Sequence, residues 1–515
     1  MLSTVYSSGV IGIDGFLVTV ECSAWNRVPK FDLVGLPDTA VKEAKNRVQS
    51  ACENSGIKFP SLDIMVNLAP ADIKKEGTAY DLAILLAILQ SEGYISSSYD
   101  FSGKCIVGEL SLSGEVRGIK GVLPMVCAAR DAGICEMFVP RANAPEAAVV
   151  DGITVYPVDS VRAIINHIRG TEPIEPAERI DYTEALTKRY ARLDFADVKG
   201  QLKAKRALEI AAAGGHNIVM IGPPGAGKSM LAKRLPSILP DMSLEEAIET
   251  TKIHSVTGLL ANRNLVTERP FRSPHHTVSA VGFVGGGANP KPGEISLAHN
   301  GVLFLDELPE FPKTVTEAMR QPLEDGRVTV TRAAAKVTYP TNFMLVCAMN
   351  PCKCGYFGSP VRECTCSPKQ IRQYLDRISG PLLDRIDIEI ELPAVSYEEI
   401  SGEGEGGERS EAIRERVNRA RELARKRLLD AGADGDILNA SLQGELFRRF
   451  CTPNDEGKEL LKIAFDSLGL SARGHDRILR VARTIADLDG LEEIDGDCIA
   501  EAIQYRSLDR KYWRS

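Results

Sequence analysis

The sequence predicts an α/β protein in which a parallel sheet flanked by helices lies between an N-terminal α+β unit and a C-terminal helical unit. One apolar run, 217–221, is followed by a glycine-rich loop and a helix-like stretch from Met230. A second apolar run, 301–305, ends in two carboxylates. Helix-like segments follow at 411–429 and 476–488, where apolar residues recur at helical spacing.

Length and composition set the first limits on function. A chain of 515 residues holds roughly three domains, and 44% hydrophobic with 26% charged residues is typical of a globular protein. The longest apolar run, 82–89, is too short to cross a bilayer, and the N-terminus lacks a basic region, so we expect a cytoplasmic protein without a membrane partner. The net charge of −8 argues against a broadly basic nucleic-acid-coating protein but permits a local basic channel.

The chain divides at two segments of loop-like composition. Residues 1–168 alternate strand-like and helix-like runs and form the first predicted unit. Residues 169–194, with repeated prolines and charges, are predicted as a linker. The second unit covers 195–400, and the helical third unit, 401–515, opens with an acidic glycine-rich stretch at 402–408.

The glycine-rich loop at 222–229 reads Gly-Pro-Pro-Gly-Ala-Gly-Lys-Ser, which is the complete G-x-x-x-x-G-K-[ST] phosphate-binding motif. Strand-like and helix-like segments flank it, as the motif requires. Lys228 is placed to reach the β- and γ-phosphates of a nucleoside triphosphate, and Ser229 to ligate Mg²⁺. The alternative is a chance glycine-rich turn. The predicted nucleotide-binding residues of the loop are Gly222, Pro223, Pro224, Gly225, Ala226, Gly227, Lys228 and Ser229.

Two further apolar runs end in polar residues that suit nucleotide hydrolysis. Asp306 is predicted to hold Mg²⁺, directly or through water, and Glu307 to polarise the attacking water. The alternative is a buried strand with an acidic end. The run 345–349 ends at Asn350, which we expect to hold the lytic water from a neighbouring strand.

The segment 380–387, Gly-Pro-Leu-Leu-Asp-Arg-Ile-Asp, resembles the corresponding region of the AAA+ ATPases. The resemblance implies that Asn350 is the first sensor and that Arg385 is the arginine finger supplied to the next subunit. Such a finger stabilises charge on the γ-phosphate in the transition state. Arg377 is the alternative finger, and a surface ion pair of Arg385 with an adjacent aspartate is the alternative without a catalytic role.

The segment 471–480 resembles the second-sensor helix of the same ATPases. The resemblance implies that Arg473 touches the γ-phosphate from a helical lid. Arg477 and Arg480 follow at helical spacing, so either is an alternative for this role.

Two long insertions separate the nucleotide motifs. Lys228 and Asp306 lie 78 positions apart (306 − 228), whereas a strand–helix–strand unit needs only about 30 residues. This insertion holds the segment 270–276 and a glycine-rich stretch at 284–293. The second insertion holds 326–339, which is predicted as a β-hairpin because β-branched residues alternate on both sides of a small-residue tip.

The insertions resemble the helix-2 insert and the pre-sensor-1 hairpin of the AAA+ clade that includes Mg-chelatase subunits and replicative helicases. In that clade the hairpins line a central pore. The resemblance therefore implies DNA contacts by Arg332 and Lys336 at the hairpin tip and by Lys291 in the glycine-rich stretch. A solvated charged tip is the alternative.

Three N-terminal segments, 35–48, 67–77 and 108–118, resemble the YifB/ComM family of Mg-chelatase-like AAA+ proteins, and the resemblance covers nearly the whole chain. It implies a P-loop AAA+ core, a helical lid and an N-terminal Lon-protease-like α+β domain. It further implies an ATP- and Mg²⁺-dependent ring, a hexamer, that moves on single-stranded or branched DNA and promotes branch migration in natural transformation or recombination.

Two other functions are alternatives to the motor. A Mg-chelatase-like remodelling ATPase that does not act on DNA is the first, and an ATP-gated scaffold without hydrolysis is the second, although the Asp306–Glu307 pair argues against it. Proteolysis is not expected, because a Lon-type site needs a serine nucleophile and a lysine base. Alignment with the Lon segments places Ala79 and Leu123 at these two positions, so the first unit is expected to be a structural or partner-binding collar.

The twelve cysteines fall into two sets. Four occur as two C-x-C pairs, and four thiolates suit a structural Zn²⁺ ion, with free thiols as the alternative. The predicted zinc ligands are Cys352, Cys354, Cys364 and Cys366. The others have apolar neighbours and are expected to be reduced core residues; they are Cys22, Cys52, Cys105, Cys127, Cys135, Cys347, Cys451 and Cys498.

Overall fold

The computed structural model describes most of the chain and divides it into two compact units. Unit 1 comprises 1–188 and 244–267, and unit 2 comprises 189–243 and 268–515. Among the residues described, no helix is long and apolar enough to cross a membrane. The described residues are 2–179, 182, 186, 193–260, 264–287, 290–331, 336–360, 362–394, 407–508 and 512–513.

Strands and helices alternate through both units. The strands within the described ranges are β1 Leu2–Ile11, β2 Asp14–Trp25, β3 Lys30–Val34, β4 Asp63–Ala69, β5 Lys104–Ile106, β6 Glu109–Leu110, β7 Val116–Arg117, β8 Glu136–Pro140, β9 Thr154–Val158, β10 Ile218–Ile221, β11 Phe271–Arg272, β12 Gly285–Gly286, β13 Lys291–Pro292, β14 Val302–Leu305, β15 Arg327–Thr331, β16 Lys336–Pro340, β17 Met344–Met349 and β18 Ile388–Glu391. The helices there are α1 Thr39–Lys42, α2 Ala44–Asn54, α3 Asp81–Glu92, α4 Val122–Asp131, α5 Ala144–Ala147, α6 Val161–Ile168, α7 Leu202–Gly214, α8 Lys228–Arg234, α9 Leu244–Thr257, α10 Ala280–Val284, α11 Glu294–Leu297, α12 Lys313–Ala318, α13 Arg320–Asp325, α14 Pro368–Leu375, α15 Gly380–Leu383, α16 Ser410–Asp430, α17 Gly444–Phe450, α18 Asp455–Leu468, α19 Ala472–Asp489 and α20 Gly496–Gln504.

Unit 1 is built on a mixed seven-stranded sheet with the order β3-β4-β2-β1-β5-β8-β9. Strand β2 runs antiparallel to both β1 and β4, whereas β1, β5, β8 and β9 run parallel to their neighbours in that half of the sheet. Helix α3 is buried from Asp81 to Ser91, and its apolar residues fill the core against the sheet.

A segment from the middle of the chain packs in unit 1. Helix α9 lies in the stretch 244–267, which sequence reasoning included in the second unit because nucleotide motifs occur on both sides of it. The Ser255 hydroxyl donates a hydrogen bond to the buried carboxylate of Glu146. That carboxylate also accepts from the Leu123 N–H at 3.0 Å. Tertiary contacts, which local sequence patterns do not encode, place this helix.

The scattered cysteines are all free, and seven of the eight expected in the core are buried. The prediction is wrong for Cys135, which is exposed. This residue lies in the turn between α4 and β8, where the chain runs along the surface although the apolar Ile134 and Met137 lie close in sequence.

Unit 2 is built on a five-stranded parallel sheet with the order β11-β14-β17-β10-β18. Every residue of β10, β14 and β17 is buried, which explains why these strands are continuous apolar runs. Because the strands are parallel, the loops after β10, β14 and β17 emerge at the same edge of the sheet. The predicted α/β fold is confirmed.

The helical part of unit 2 follows the sheet. Helices α16 and α19 confirm the helices predicted at 411–429 and 476–488, and both pack against α7. A buried ion-pair network ties them together, because Arg427 and Arg483 both donate to the carboxylate of Asp487.

The predicted hairpin at 326–339 is confirmed as the antiparallel pair β15–β16, in which Thr331 lies opposite Lys336. The predicted tip residue Arg332 lies outside the described residues. Strands β12 and β13 form a second, short antiparallel ladder in the glycine-rich stretch of the first insertion. The buried Tyr339 hydroxyl donates to the Pro290 carbonyl at 2.7 Å, and this hydrogen bond joins the two insertions.

Candidate functional site

The phosphate loop connects β10 to α8 at the carboxyl edge of the parallel sheet. Gly225 and Gly227 have φ angles of 81° and 87°, in the left-handed region that favours glycine. A side chain at Gly222 has no space, since its Cβ would lie 2.6 Å from the carbonyl oxygen of Leu392. The helix begins at Lys228, so this lysine stands at the first position of the helix.

Lys228 is held by acceptors of the loop and of the neighbouring strand. Its Nζ donates to the carbonyl oxygens of Gly222 at 2.7 Å and Pro223 at 2.9 Å, and to Oδ1 of Asn350 at 3.2 Å. Burial lowers the pKa of the ammonium group, and the carboxylates after β14 act in the opposite direction. These hydrogen-bond acceptors are neutral, so an anionic phosphate is a stronger partner for the buried charge.

The two carboxylates after β14 adjoin this loop. Ser229 Oγ donates to Oδ2 of Asp306 at 2.6 Å. Hydroxyl and carboxylate oxygens are ligands that Mg²⁺ prefers, so this pair fits the ion. Glu307 adopts a left-handed φ of 54°, and 54% of its side chain is exposed. Its carboxylate is therefore accessible to a water molecule.

A histidine that sequence reasoning left without a role lies beside Glu307. His276 Nδ1 is 3.5 Å from Glu307 Oε2. The imidazole ring also lies 4.1 Å from the ring of His275 and meets the ring of Phe311 edge-on at 6.4 Å. The two adjacent histidines at the end of the segment 270–276 lie between two nucleotide motifs. They are the feature of the sequence from which this position could have been predicted.

Strand β17 leads through Asn350 into the cysteine loop. The Sγ atoms of Cys352, Cys354 and Cys364 are 3.3 to 3.6 Å apart, and the Sγ of Cys366 lies within 4.8 Å of each of them. The structure therefore brings the four predicted metal ligands together, and this cluster is compatible with a zinc site.

Arg385 follows α15 and contacts groups of its own chain. The guanidinium group donates to the carbonyl oxygen of Pro381 and to the carboxylate of Glu324 in α13. Burial, followed by the charges of Arg320 and Arg473, lowers its pKa. The partner of Arg385 is thus Glu324 and not an aspartate adjacent in sequence.

Arg377, the alternative finger, lies close to the acidic pair. Its guanidinium group donates to Oε2 of Glu310 at 2.7 Å and to the carbonyl oxygen of Pro309 at 3.4 Å. Both partners belong to the segment directly after Glu307. The structure therefore places Arg377 next to the segment that follows Glu307 in the same chain.

The three arginines predicted for the second sensor differ in exposure. Arg473 is 68% exposed and lies 3.3 Å from the carboxylate of Asp384. Arg477 is buried and donates to the carbonyl oxygens of Leu383 and Ile386, and Arg480 donates to a carbonyl of the α16–α17 connection. Arg473 is thus the most accessible of the three to a ligand.

The two positions that align with the Lon serine nucleophile and lysine base lie in one apolar cluster of unit 1. Ala79 is 6% exposed and Leu123 is fully buried, with Val107 and Met137 among their neighbours in the cluster. The nearby Lys75 is also buried, and its ammonium group donates to carbonyl oxygens of Pro70 and Ile73. These hydrogen bonds to main-chain carbonyl oxygens indicate a structural role for Lys75.

The meeting of Lys228, Ser229 and Asp306 at one edge of a parallel sheet defines a P-loop nucleotide-binding protein. Comparison with known proteins narrows this class. The profile of the family described as magnesium chelatase, subunit ChlI, matches residues 194–400. The profile of subunit ChlI of Mg-chelatase matches 20–143, and that of the ChlI C-terminal region matches 407–506.

Individual relatives extend the match to the whole chain. Competence protein ComM of Haemophilus influenzae is 44% identical over 511 residues, which cover 99% of this chain and 98% of the relative. The uncharacterized protein YifB of Escherichia coli is 42% identical over 509 residues, with the same coverage. Lon protease 2 of Bacillus subtilis is 27% identical over 165 residues, 30% of each chain, in the N-terminal part. The chain belongs to the YifB/ComM family of Mg-chelatase-like AAA+ proteins, and this membership implies ATPase activity.

Proposed function

We propose that this protein is an ATP-hydrolysing, ring-shaped DNA motor that promotes branch migration in natural transformation or recombination. One observation carries the proposal. The hairpin β15–β16 is inserted between β14, which directly precedes Asp306, and β17, which directly precedes Asn350. The segments on both sides of the hairpin therefore lead to residues that we propose to contact the nucleotide or its attacking water. The name of the Haemophilus relative, a competence protein, supports the biological setting.

Hydrolysis follows from the arrangement at the sheet edge. Lys228 binds the β- and γ-phosphates once they replace its carbonyl acceptors, and Asn350 orients the attacking water. Glu307 accepts a proton from that water as it attacks the γ-phosphate. Ser229 and Asp306 would hold Mg²⁺, which would neutralise charge on the phosphate oxygens.

Arg385 completes the site of the neighbouring subunit in a hexameric ring. Its positive charge reaches the neighbour's γ-phosphate when the guanidinium group exchanges Glu324 for phosphate oxygens. Arg473, in the helical part of the same chain, approaches the same γ-phosphate as Arg385. The exposure of Arg473 and its proximity to Asp384, the residue before Arg385, support a role for both arginines at the neighbour's nucleotide.

Lys336, Arg332 and Lys291 contact the DNA backbone. Lys336 and Lys291 are exposed, and the hydrogen bond between Tyr339 and Pro290 joins the insertions that carry them. Contacts to phosphate carry no sequence information, as a motor that moves along any sequence requires.

A second candidate is a Mg-chelatase-like ATPase that remodels a protein or pigment complex without DNA. The three matching family profiles, all named for the ChlI subunit, favour it. The two candidates differ in their response to DNA. We expect forked or four-way DNA to stimulate ATP turnover at least several-fold, and Glu307→Gln to abolish the stimulated rate. Turnover that is unchanged by any single-stranded, forked or four-way DNA supports the remodelling ATPase.

A further inference from the structure

The four cysteines of the loop after Asn350 are spaced for one metal ion. Three Sγ–Sγ distances are 3.3, 3.5 and 3.6 Å, much longer than the roughly 2.05 Å of a disulfide bond. A tetrahedral Zn²⁺ ion with Zn–S bonds of about 2.3 Å has ligand sulfurs about 3.8 Å apart. Sulfurs this close leave no space for a cluster of several iron ions.

Main-chain N–H groups point at these sulfurs. The N–H groups of Tyr356 and Thr365 hydrogen-bond to the Sγ of Cys354, and the N–H of Cys366 does so to the Sγ of Cys364. Such donors stabilise thiolates and orient them as ligands. The loop therefore provides both the ligands of a metal site and the groups that support them.

The same loop packs on the phosphate loop. Gly355 has a φ of 88°, and a Cβ at this position would lie 2.7 Å from Cδ of Pro224 and 3.9 Å from Cγ of Asn350. Cys352 is fully buried two residues after Asn350. A rigid cysteine loop thus restrains both Pro224 in the nucleotide-binding loop and the residue that contacts Lys228.

We propose that Cys352, Cys354, Cys364 and Cys366 bind one Zn²⁺ ion, and that this ion increases ATP affinity by fixing Gly355 against Pro224. The metal has a structural role, since all four positions of the tetrahedron are filled by protein thiolates. This inference concerns nucleotide binding and is independent of whether the ATPase acts on DNA.

Metal content of the full-length protein tests the first part. We expect about one zinc ion per chain after purification under reducing conditions, and a thiolate-to-metal charge-transfer band after cobalt substitution. Cys364→Ser and Cys366→Ser should lose the metal, whereas Cys135→Ser, at the exposed cysteine of unit 1, should keep it. Wild-type protein that holds no zinc and gives no cobalt–thiolate band overturns the site.

Nucleotide affinity tests the second part. Removal of zinc from the wild-type protein by a chelator, with readdition as the reverse step, should raise the Kd for a non-hydrolysable ATP analogue by about fivefold or more. Gly355→Ala leaves all four ligands in place and should retain zinc. It should still weaken binding of the ATP analogue, because the added Cβ displaces Pro224. If the ATP analogue binds with equal affinity with and without zinc, and the circular dichroism spectrum is unchanged, the proposed coupling between zinc and ATP binding is wrong.

Discussion

Lys228 Nζ lies 3.2 Å from Oδ1 of Asn350, so the lysine of the phosphate loop contacts the polar residue that directly follows the central strand β17. Asn350 is preceded in the chain by the hairpin β15–β16 and followed by the cysteine loop. A phosphate that draws the ammonium group away from Asn350 changes the surroundings of both segments. We propose this contact as the physical link between nucleotide binding and the hairpin.

Glu307→Gln should bind ATP normally and lose turnover. The amide cannot accept a proton from water, and a general base contributes about 10²- to 10⁴-fold to a rate. Steady-state turnover and the Kd for ATP measure the two effects. Glu310→Gln, three residues further on and paired with Arg377, is the matched control and should keep most of its activity. Normal hydrolysis by Glu307→Gln contradicts the assigned role.

ATP affinity should fall as the solution becomes alkaline. Burial lowers the pKa of Lys228, and bound phosphates raise it again, so ATP binding takes up a proton at pH values between the lowered pKa of the free protein and the raised pKa of the complex. The Kd for ATP should therefore be constant at lower pH and rise between the lowered pKa and the ordinary lysine value.

Calorimetric titrations at pH values from about 7.5 upward measure this dependence, with ATP itself fully ionised for most of the range. Lys228→Arg is the control, because a guanidinium group stays charged throughout. The same pH dependence in both variants excludes Lys228 as its source.

Arg385→Ala should bind ATP and lose about 10³-fold or more of its turnover. Because the finger is proposed to act on the neighbouring subunit, a mixture of Arg385→Ala and Glu307→Gln subunits should regain activity that neither variant has alone. At some interfaces of the mixed ring an intact Glu307 meets an intact Arg385. Arg377→Ala, which removes the alternative finger, is the variant with which Arg385→Ala is compared. Absence of any recovery on mixing contradicts action between subunits.

Lys336→Ala should weaken DNA binding equally for all sequences and lower the salt slope of the binding constant by about 1, as expected for the loss of one phosphate contact. Fluorescence anisotropy at several salt concentrations gives the slope. Lys458→Ala, at an exposed lysine that pairs with Asp455 in α18, is the control. An unchanged slope removes Lys336 from the DNA path.

Asp487→Ala should destabilise the helical part of unit 2 by about 3 to 5 kcal/mol, because Arg427 and the buried Arg483 both lose their carboxylate. Urea unfolding measures the loss. Asp489→Ala, at a half-exposed carboxylate of the same helix that pairs with Arg206, should change the free energy of unfolding by less than about 1 kcal/mol. Similar losses in the two variants contradict the importance of the buried network.

Local patterns predicted the parts of the site that a single strand and its following loop define. The phosphate loop, the acidic pair after β14 and the cysteine loop are short segments whose spacing along the chain fixes their geometry. The sequence did not predict that α9 packs in unit 1 or that Glu324 is the partner of Arg385. These contacts join residues far apart in the chain, and nothing in their immediate sequence marks the partner.

His276 shows the same limit within the site itself. The histidine pair was visible in the sequence, but its closeness to Glu307 depends on the parallel pairing of β11 with β14, which brings the segment after β11 to the same edge of the sheet. The exposure of Cys135 was missed for a related reason, since apolar neighbours in sequence do not determine which side of a turn faces solvent.

The most direct test of the account is a branch-migration assay on a synthetic three-strand junction with purified full-length protein. We expect the wild-type protein to move the junction in the presence of ATP and Mg²⁺, and Glu307→Gln to bind the same junction without moving it. ATP hydrolysis by the wild-type protein without any junction movement, under conditions where it binds the DNA, would contradict the proposed motor.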